Sequence, residues 1–546
     1  MSLCLLLLVA VVSLFFWLYQ VNKDYYVLSF FAPRVRTKDG RPVESIVPVG
    51  KGKTIFGNCF DLLMLVPAES FEIVRQRSRK FQSSYILYKF STAIFNIIDA
   101  ENAELVLNDQ NLITKGVTYS FLHPALQTGL LTSTGKQKSY IDLHVIIKYY
   151  NFVTGKKWHS RRKMLTPTFH FNILGQFEEI FKTESLKFVK QFEGQSDINI
   201  SLSELIPRFT LNSICGKLGL KTILQYNYTV LLCSTETAMG VKLDDMAEKG
   251  DRYRQNFAMV EQTFIKRINN PFFWNDTIYK YFGDNNDALA LKAVHDFSSE
   301  IIAKRRILLK DEQQQRKNKQ RFAMLDTLIM AEKDGLIDHQ GICEEVDTLM
   351  FGGFDTTSMA ITFGLMNMSL HADKQELCYQ EINDCIDDDL SNLNINQIAK
   401  LQYLDCVIRE TLRMFPSAPV IGRNASKETQ LANGLILPAG SQVVVHVFDI
   451  HRNTKYWDAP NEFQPERFLP ENSKDRHIYS YIPFSAGQRN CIGQKYGMLE
   501  MKTFFIIVLK QFKILPLVDP KDFVFNTGIT LRTNNNIKVK LVKRKL

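Results

Sequence analysis

The sequence predicts a mainly α fold with small β-sheets, of the α+β class, and three observations carry that reading. Apolar residues recur at helical spacing over long stretches, Phe177 to Phe192 and Leu401 to Met414 among them. Strand-like runs are few and late: Leu435-Ile436-Leu437 before the turn Pro438-Ala439-Gly440, then Val443 to Val447, and finally Ile537 to Val542. No repeat, Gly/Ser linker or shift of composition divides the chain, so one large domain, 23–546, follows an N-terminal segment, 1–22.

Composition narrows the class. A chain of 546 residues, 45% apolar and 12% aromatic, buries a large core and is neither disordered nor fibrous. Its nine cysteines show no paired spacing and no C-x-x-C, which speaks against a disulfide framework or a zinc site and for a reducing compartment. The net charge of +10 suits an anionic membrane surface or an acidic partner; no nucleic-acid recognition motif accompanies it, so no nucleic acid is expected.

Taken from the N-terminus, Leu3 to Tyr19 is unbroken by charge and reaches about 26 Å as a helix, enough to anchor in a bilayer. A cleaved signal peptide is the other reading, but no basic residue precedes the run and Tyr19-Gln20-Val21 is a poor cleavage site. Lys23, Arg34, Arg36 and Lys38 follow the segment, which leaves the body of the protein cytosolic, and the sequon Asn424-Ala425-Ser426 reads as chance. Trp158 and Arg162 lie one helical turn apart, so both reach one edge of a ligand. Lys304 to Arg321 carries eight basic residues and reads as a solvated linker before the next helix.

Gly352 and Gly353 each weaken an otherwise apolar helix by about 1 kcal/mol relative to alanine, and the cost asks for a reason such as room for a small ligand. A hinge capped by Asp355 and Thr356 is the ordinary alternative. Glu410 and Arg413 share a helix face at i,i+3 spacing, which alone is a common surface pair worth little. Cys491 sits in Phe484-Ser-Ala-Gly487-Gln-Arg489-Asn-Cys491-Ile-Gly493, and a buried structural thiol is the usual fate of a lone cysteine.

That last run resembles the haem-binding signature of the cytochromes P450, F-x-x-G-x-R-x-C-x-G, at every defined position. The likeness narrows to family 4, with insect members looking nearest, through Trp158-His-Ser-Arg-Arg-Lys-Met-Leu-Thr-Pro-Thr-Phe169-His, Glu344-Glu-Val-Asp-Thr and Pro483 to Lys495. The resemblance implies the cytochrome P450 fold and haem b, with the thiolate of Cys491 as axial ligand to the iron. Such a sulfur needs close backbone approach and amide donors, which flanking glycines and a helix starting after Cys491 provide. By the same resemblance Phe484 belongs to the haem site, while Trp158, Arg162, Arg423 and Arg489 meet the propionates. Glu410, Arg413 and Arg467, the last within Pro465-Glu466-Arg467-Phe468, would form a buried charged triad with a scaffolding role. The run from Glu344 to Thr357 looks like the oxygen-binding helix, where a local distortion would free a carbonyl for Thr356 and Asp355 would relay protons from water.

The implied activity is a monooxygenase acting on fatty acids, hormone-like lipids or foreign compounds at the endoplasmic reticulum (microsomal) membrane. NADPH-cytochrome P450 reductase would supply the electrons and cytochrome b5 is a further candidate partner; Phe121, Leu122, Ile421 and Ile529 fall where the family lines its pocket. A haem-thiolate isomerase or dehydratase is disfavoured by the Asp355-Thr356 pair, and a non-catalytic haem carrier or sensor is the third class. Many family 4 members carry F-E-G-H-D-T-T in this helix, with a glutamate that can esterify the haem. Here Gly352 takes that place, so the haem is expected to be non-covalent.

Two further departures concern the chain itself. Residues 135–154 separate Gly129-Leu-Leu-Thr-Ser-Thr134 from Gly155-Lys-Lys-Trp158, and residues 216–235 separate Leu211-Asn-Ser-Ile-Cys215 from Glu236, where the family pattern runs on almost directly. Both inserts have the same length, open with Gly-Lys and are rich in Ile, Lys, Tyr, Asn and Leu, as translation through retained AT-rich introns would produce. Genuine insertions are the alternative, since loop-closure entropy rises slowly with length.

Overall fold

The computed structural model describes residues 35–50, 65–89, 92–133, 156–169, 171–215, 247–274, 276–283, 287–315 and 324–544, with 58, 61 and 239 as isolated positions. The anchor expected at 3–19 and both inserts lie outside the described residues.

Its helices include α1 (Pro67–Phe81), α2 (Lys156–Leu165), α3 (Phe171–Lys190), α4 (Leu202–Cys215), α5 (Ala247–Asn269), α6 (Asp287–Gln315), α7 (His339–Leu370), α8 (Gln402–Met414) and α9 (Gln494–Gln511). The stretches read from periodicity correspond to α3 and α8. At 32 residues and about 48 Å, α7 is a central rod. The Asp338 carboxylate starts it by accepting from the Gly341 amide at 2.8 Å. From Ile342 to Ser369 most of its side chains are buried, as expected for a helix apolar on all sides.

Close approach fixes the packing around α7. A Cβ on Gly353 would stand 2.6 Å from Ile214 of α4, and one on Gly364 would stand 2.5 Å from Phe505 of α9. Aromatic edges lock α9 to α3, with Phe188 and Phe504 centroids 5.1 Å apart and Phe177 and Tyr496 5.4 Å apart.

The strands include β1 (Tyr85–Lys89), β2 (Thr92–Ile97), β3 (Thr114–Lys115), β4 (Asp197–Ser201), β5 (Ile421–Asn424), β6 (Gln442–Val445), β7 (Phe512–Pro516), β8 (Phe525–Thr527), β9 (Leu531–Thr533) and β10 (Lys538–Lys543). One sheet has the order β1-β2-β6-β5-β3, with β2 parallel to β6 and the other pairs antiparallel; a second has the order β7-β10-β4; β8 and β9 form a hairpin. The expectation that strands are few and late is therefore corrected. Tyr85–Lys89 and Thr92–Ile97 pair as early antiparallel strands, and the second of them also pairs with β6, some 350 residues on in sequence. Short apolar runs do not distinguish strand from helix by periodicity, which is why this one was hidden.

The linker expected from Lys304 to Arg321 is corrected as far as Gln315, while 316–321 lie outside the described residues. Residues up to Gln315 continue α6, and Arg305 is fully buried, with Nε and Nη2 donating to Asp326 at 2.6 and 2.8 Å.

Candidate active site

Cys491 stands on a loop that its glycines make possible. Ser485 and Gly487 adopt positive φ of 59° and 68°, and a Cβ on Gly487 would lie 2.0 Å from the Leu107 carbonyl oxygen. The turn brings the Cys491 amide to the Phe484 carbonyl at 2.9 Å, and Gly493 caps α9, which begins at Gln494. Cys491 is accessible while five other described cysteines are buried or half-buried. Desolvation by surrounding protein raises its thiol above the ordinary value, opposed by the Gly493 N–H and by the charges of Arg162 and Lys115. The half-buried Phe484 packs against the main core.

Basic side chains gather around this loop. Arg162 donates to the Asn490 carbonyl and to its side-chain oxygen, both at 2.8 Å. Arg489 lies 4.3 Å over the Trp158 ring and donates to the carbonyls of Ile113 (3.1 Å), Leu130 (3.3 Å) and Ser133 (2.7 Å). Arg423 is buried and donates to the Gly422 carbonyl at 3.0 Å and to Ser485 Oγ at 3.4 Å. To these the structure adds Lys115, which no motif marks. It is buried on β3, its Nζ 4.5 Å above the Tyr119 ring, and it is the cross-strand partner of Arg423. Burial pushes Lys115 well below the ordinary lysine range and Arg489 down to about 9, and in both cases Arg423 adds to the effect. Among the described residues none of these four cations pairs with a carboxylate.

On α7, Gly352 and Gly353 do different things. A Cβ on Gly352 would meet nothing within 4 Å, so that face is open, whereas Gly353 serves the packing of α4. The expected local distortion is not present: the helix runs unbroken through Thr356, whose hydroxyl donates to the Gly352 carbonyl at 2.6 Å. Asp355 is buried, accepting from Arg532 Nη2 at 2.6 Å and from Thr530 Oγ1 at 2.8 Å. Two residues on from Asp355, Thr357 Oγ1 comes within 3.7 Å of the Cβ position of Gly497, which ties this turn of α7 to the helix that Cys491 precedes.

The charged triad assembles. Glu410 and Arg413, both fully buried, form a bidentate pair at 2.7 and 2.8 Å, and Arg467 Nε stands 3.4 Å from Glu410. The remaining Arg413 donors reach the carbonyls of His451, Pro460 and Glu462, which ties α8 to the chain leading to the Cys491 loop. Of the expected pocket residues, Phe121 lies under the Arg267 guanidinium at 4.5 Å, Leu122 is buried beside it, and Ile529 packs at the edge of the same core. Ile421 belongs instead to the core of the five-stranded sheet.

The cytochrome P450 family model matches residues 144–541. Cytochrome P450 4p1 of Drosophila melanogaster is 60% identical over 98% of this chain and 99% of its own length. Probable cytochrome P450 4p3 of the same organism is 58% identical, and cytochrome P450 4V2 of Rattus norvegicus is 34% identical over 87% of this chain and 86% of its own. The chain belongs to family 4 of the cytochromes P450. It is therefore a haem-thiolate monooxygenase, an oxidoreductase whose cofactor is haem.

The residues present fit that cofactor. Three buried cations and the half-buried Arg162, without a carboxylate partner among the described residues, are costly unless an anion joins them, and haem carries two propionates. In this cytochrome P450, Lys115, Arg162, Arg423 and Arg489 would hold those carboxylates, Trp158 would pack at the same edge, and Cys491 would supply the thiolate.

Proposed function

We propose that this cytochrome P450 inserts one oxygen atom from dioxygen into a lipophilic substrate, a fatty acid, hormone-like lipid or foreign compound, with electrons from NADPH delivered by a reductase. Cytochrome b5 is proposed as a second electron donor. The cluster of cations around the Cys491 loop, none paired with a carboxylate among the described residues, is the observation that carries the reading. Thiolate-ligated haem supplies dioxygen activation when bound. The chain's own part is to hold the sulfur on an amide-lined loop, to keep Thr356 on the open face of α7 beside Gly352, and to keep Asp355 behind it as the group that passes protons inward. Glu410, Arg413 and Arg467 hold the scaffold and take no part in the chemistry.

The haem is haem b held without a covalent bond, because Gly352 offers no carboxylate. Acidified organic solvent is expected to extract all the pigment, and pigment left on the protein would refute this. The chain is assigned to the endoplasmic reticulum membrane through 3–19, with its domain on the cytosolic side. Among the described residues no helix is long and apolar enough to cross a membrane. Tyr281, Phe282 and Leu289, each at least 74% exposed, support an apolar face resting on a bilayer.

The inserts 135–154 and 216–235 are proposed to be retained introns, absent from the working enzyme. Arg489 touches both the Ser133 carbonyl and the Trp158 ring, so the chain on either side of the first insert lies close enough to be joined directly. Sequencing of the mature transcript decides, and a dominant message containing both inserts overturns the idea.

The functional test is turnover with NADPH, a microsomal reductase and a panel of lipids, read by mass spectrometry. A product heavier by one oxygen, absent without NADPH, is expected; NADPH oxidation with no oxygenated product across the panel contradicts the substrate assignment.

A further inference from the structure

Asp355 is joined to the far end of the chain through one guanidinium. Arg532, on β9, donates from Nη2 to Asp355 at 2.6 Å and from Nε to Glu261 of α5 at 2.8 Å, so a single cation is shared by two buried carboxylates on different helices. The segment just before it is bound to the same two acids. Thr530 Oγ1 donates to the other Asp355 oxygen at 2.8 Å, while the amides of Ile529 and Thr530 donate to Glu261 at 3.0 and 3.4 Å. Gly528 permits the approach, since a Cβ there would lie 2.4 Å from Glu261 Oε1.

We infer that Arg532 is a positioning residue for proton delivery, holding the Asp355 carboxylate in place, and that Glu261 sets how much of the guanidinium Asp355 receives. Because Ile529 belongs to the same hydrogen-bonded segment, a substrate pressing on Ile529 would move the ion pair and so couple pocket filling to the relay. The inference rests on the reading of Asp355 as the relay carboxylate.

Burial first holds Glu261 above the ordinary carboxylate range; the Arg532 charge opposes that rise and the neighbouring Asp355 adds to it. Tyr253 of α5 is the further titratable group whose field reaches Asp355, and Met359 of α7 meets Arg532 Nη1 through its sulfur at 3.8 Å.

The test is the pH dependence of NADPH-driven dioxygen consumption by the full chain with a microsomal reductase, for Arg532→Gln, Glu261→Gln and Asp355→Asn. Losing the guanidinium should move the acid limb of the profile up by about one pH unit, and losing the competing carboxylate should move it down by a similar amount. Opposite displacements are not expected of two merely structural lesions. A second readout needs no turnover: in Arg532→Gln the thermal midpoint should fall as pH rises, because two buried acids without their cation bind protons more tightly folded than unfolded, and adding Glu261→Gln should reverse part of that fall. Limbs that move together or stay fixed, while Asp355→Asn abolishes the limb, overturn the role of Arg532 alone. A limb that survives Asp355→Asn overturns the relay reading and this inference with it.

Discussion

Lys115 and Arg423 face each other as cross-strand partners in β3 and β5, two buried cations in register with no described carboxylate beside them. Like charges directly opposite destabilise a sheet, so the pair makes sense only around an anion. Lys115→Met should therefore act in opposite senses on the two forms of the protein. The haem-free chain becomes more stable, while haem loss to an acceptor globin speeds up about tenfold, the effect of losing one charge-assisted hydrogen bond. Thermal midpoints of both forms and the transfer rate check this; equal destabilisation of both forms would mean that Lys115 does not meet the propionates.

The same lysine predicts a pH effect. Its folded value is depressed, so in the haem-free chain the unfolded state binds more protons between the folded and ordinary values, and stability rises with pH across that window. Lys115→Met should flatten this term, as denaturant midpoints measured in alkaline buffers would reveal.

Breaking the triad costs more than its surface counterpart. Arg413→Met leaves Glu410 buried and uncompensated, at a cost of about 3–5 kcal/mol, whereas the exposed pair Arg79 and Glu72 contributes at most about 1 kcal/mol. Urea unfolding of the two variants is the comparison, and a triad variant as stable as the surface variant would remove its scaffolding role.

The adjacent glycines of α7 should respond differently to alanine. Gly352→Ala meets open space and gains about 1 kcal/mol of helix propensity, while Gly353→Ala drives a methyl into Ile214 and lowers the thermal midpoint.

His295 offers a pH-dependent latch on the 117–133 segment. Its Nδ1 meets Asp347 at 2.9 Å and its Nε2 meets the Pro124 carbonyl at 2.8 Å, an arrangement only the imidazolium satisfies with two donors. The Asp347 hydrogen bond raises its folded value, so the stabilisation is fully present below the ordinary histidine value and is lost as pH rises through the folded one. Hydrogen exchange at residues 117–133, corrected for intrinsic rates, should quicken across that window, and His295→Gln should abolish the dependence.

What the sequence made legible follows from how local each constraint is. The Cys491 loop could be read because its requirements fall within ten consecutive residues, and the Gly487 contact with Leu107 shows why one of them admits no side chain. The Glu410 and Arg413 pair lies within one helical turn. Lys115 could not be read, because an isolated lysine acquires meaning only when β3 pairs with β5. Arg532 was hidden for the same reason: it stands 177 positions from Asp355 in sequence. The basic run after Lys304 misled because charge density looks solvated until Asp326 is found beside Arg305.

The central claim is that Cys491 binds haem iron through its thiolate, and the carbon monoxide difference spectrum of the reduced, expressed chain tests it most directly. A strongly red-shifted Soret band, lost in Cys491→Ser, is the predicted result. If the full chain lacks the band but the chain without 135–154 and 216–235 shows it, the thiolate assignment stands and the inserts do not belong to the working enzyme. Absence of the band from both chains would contradict the account.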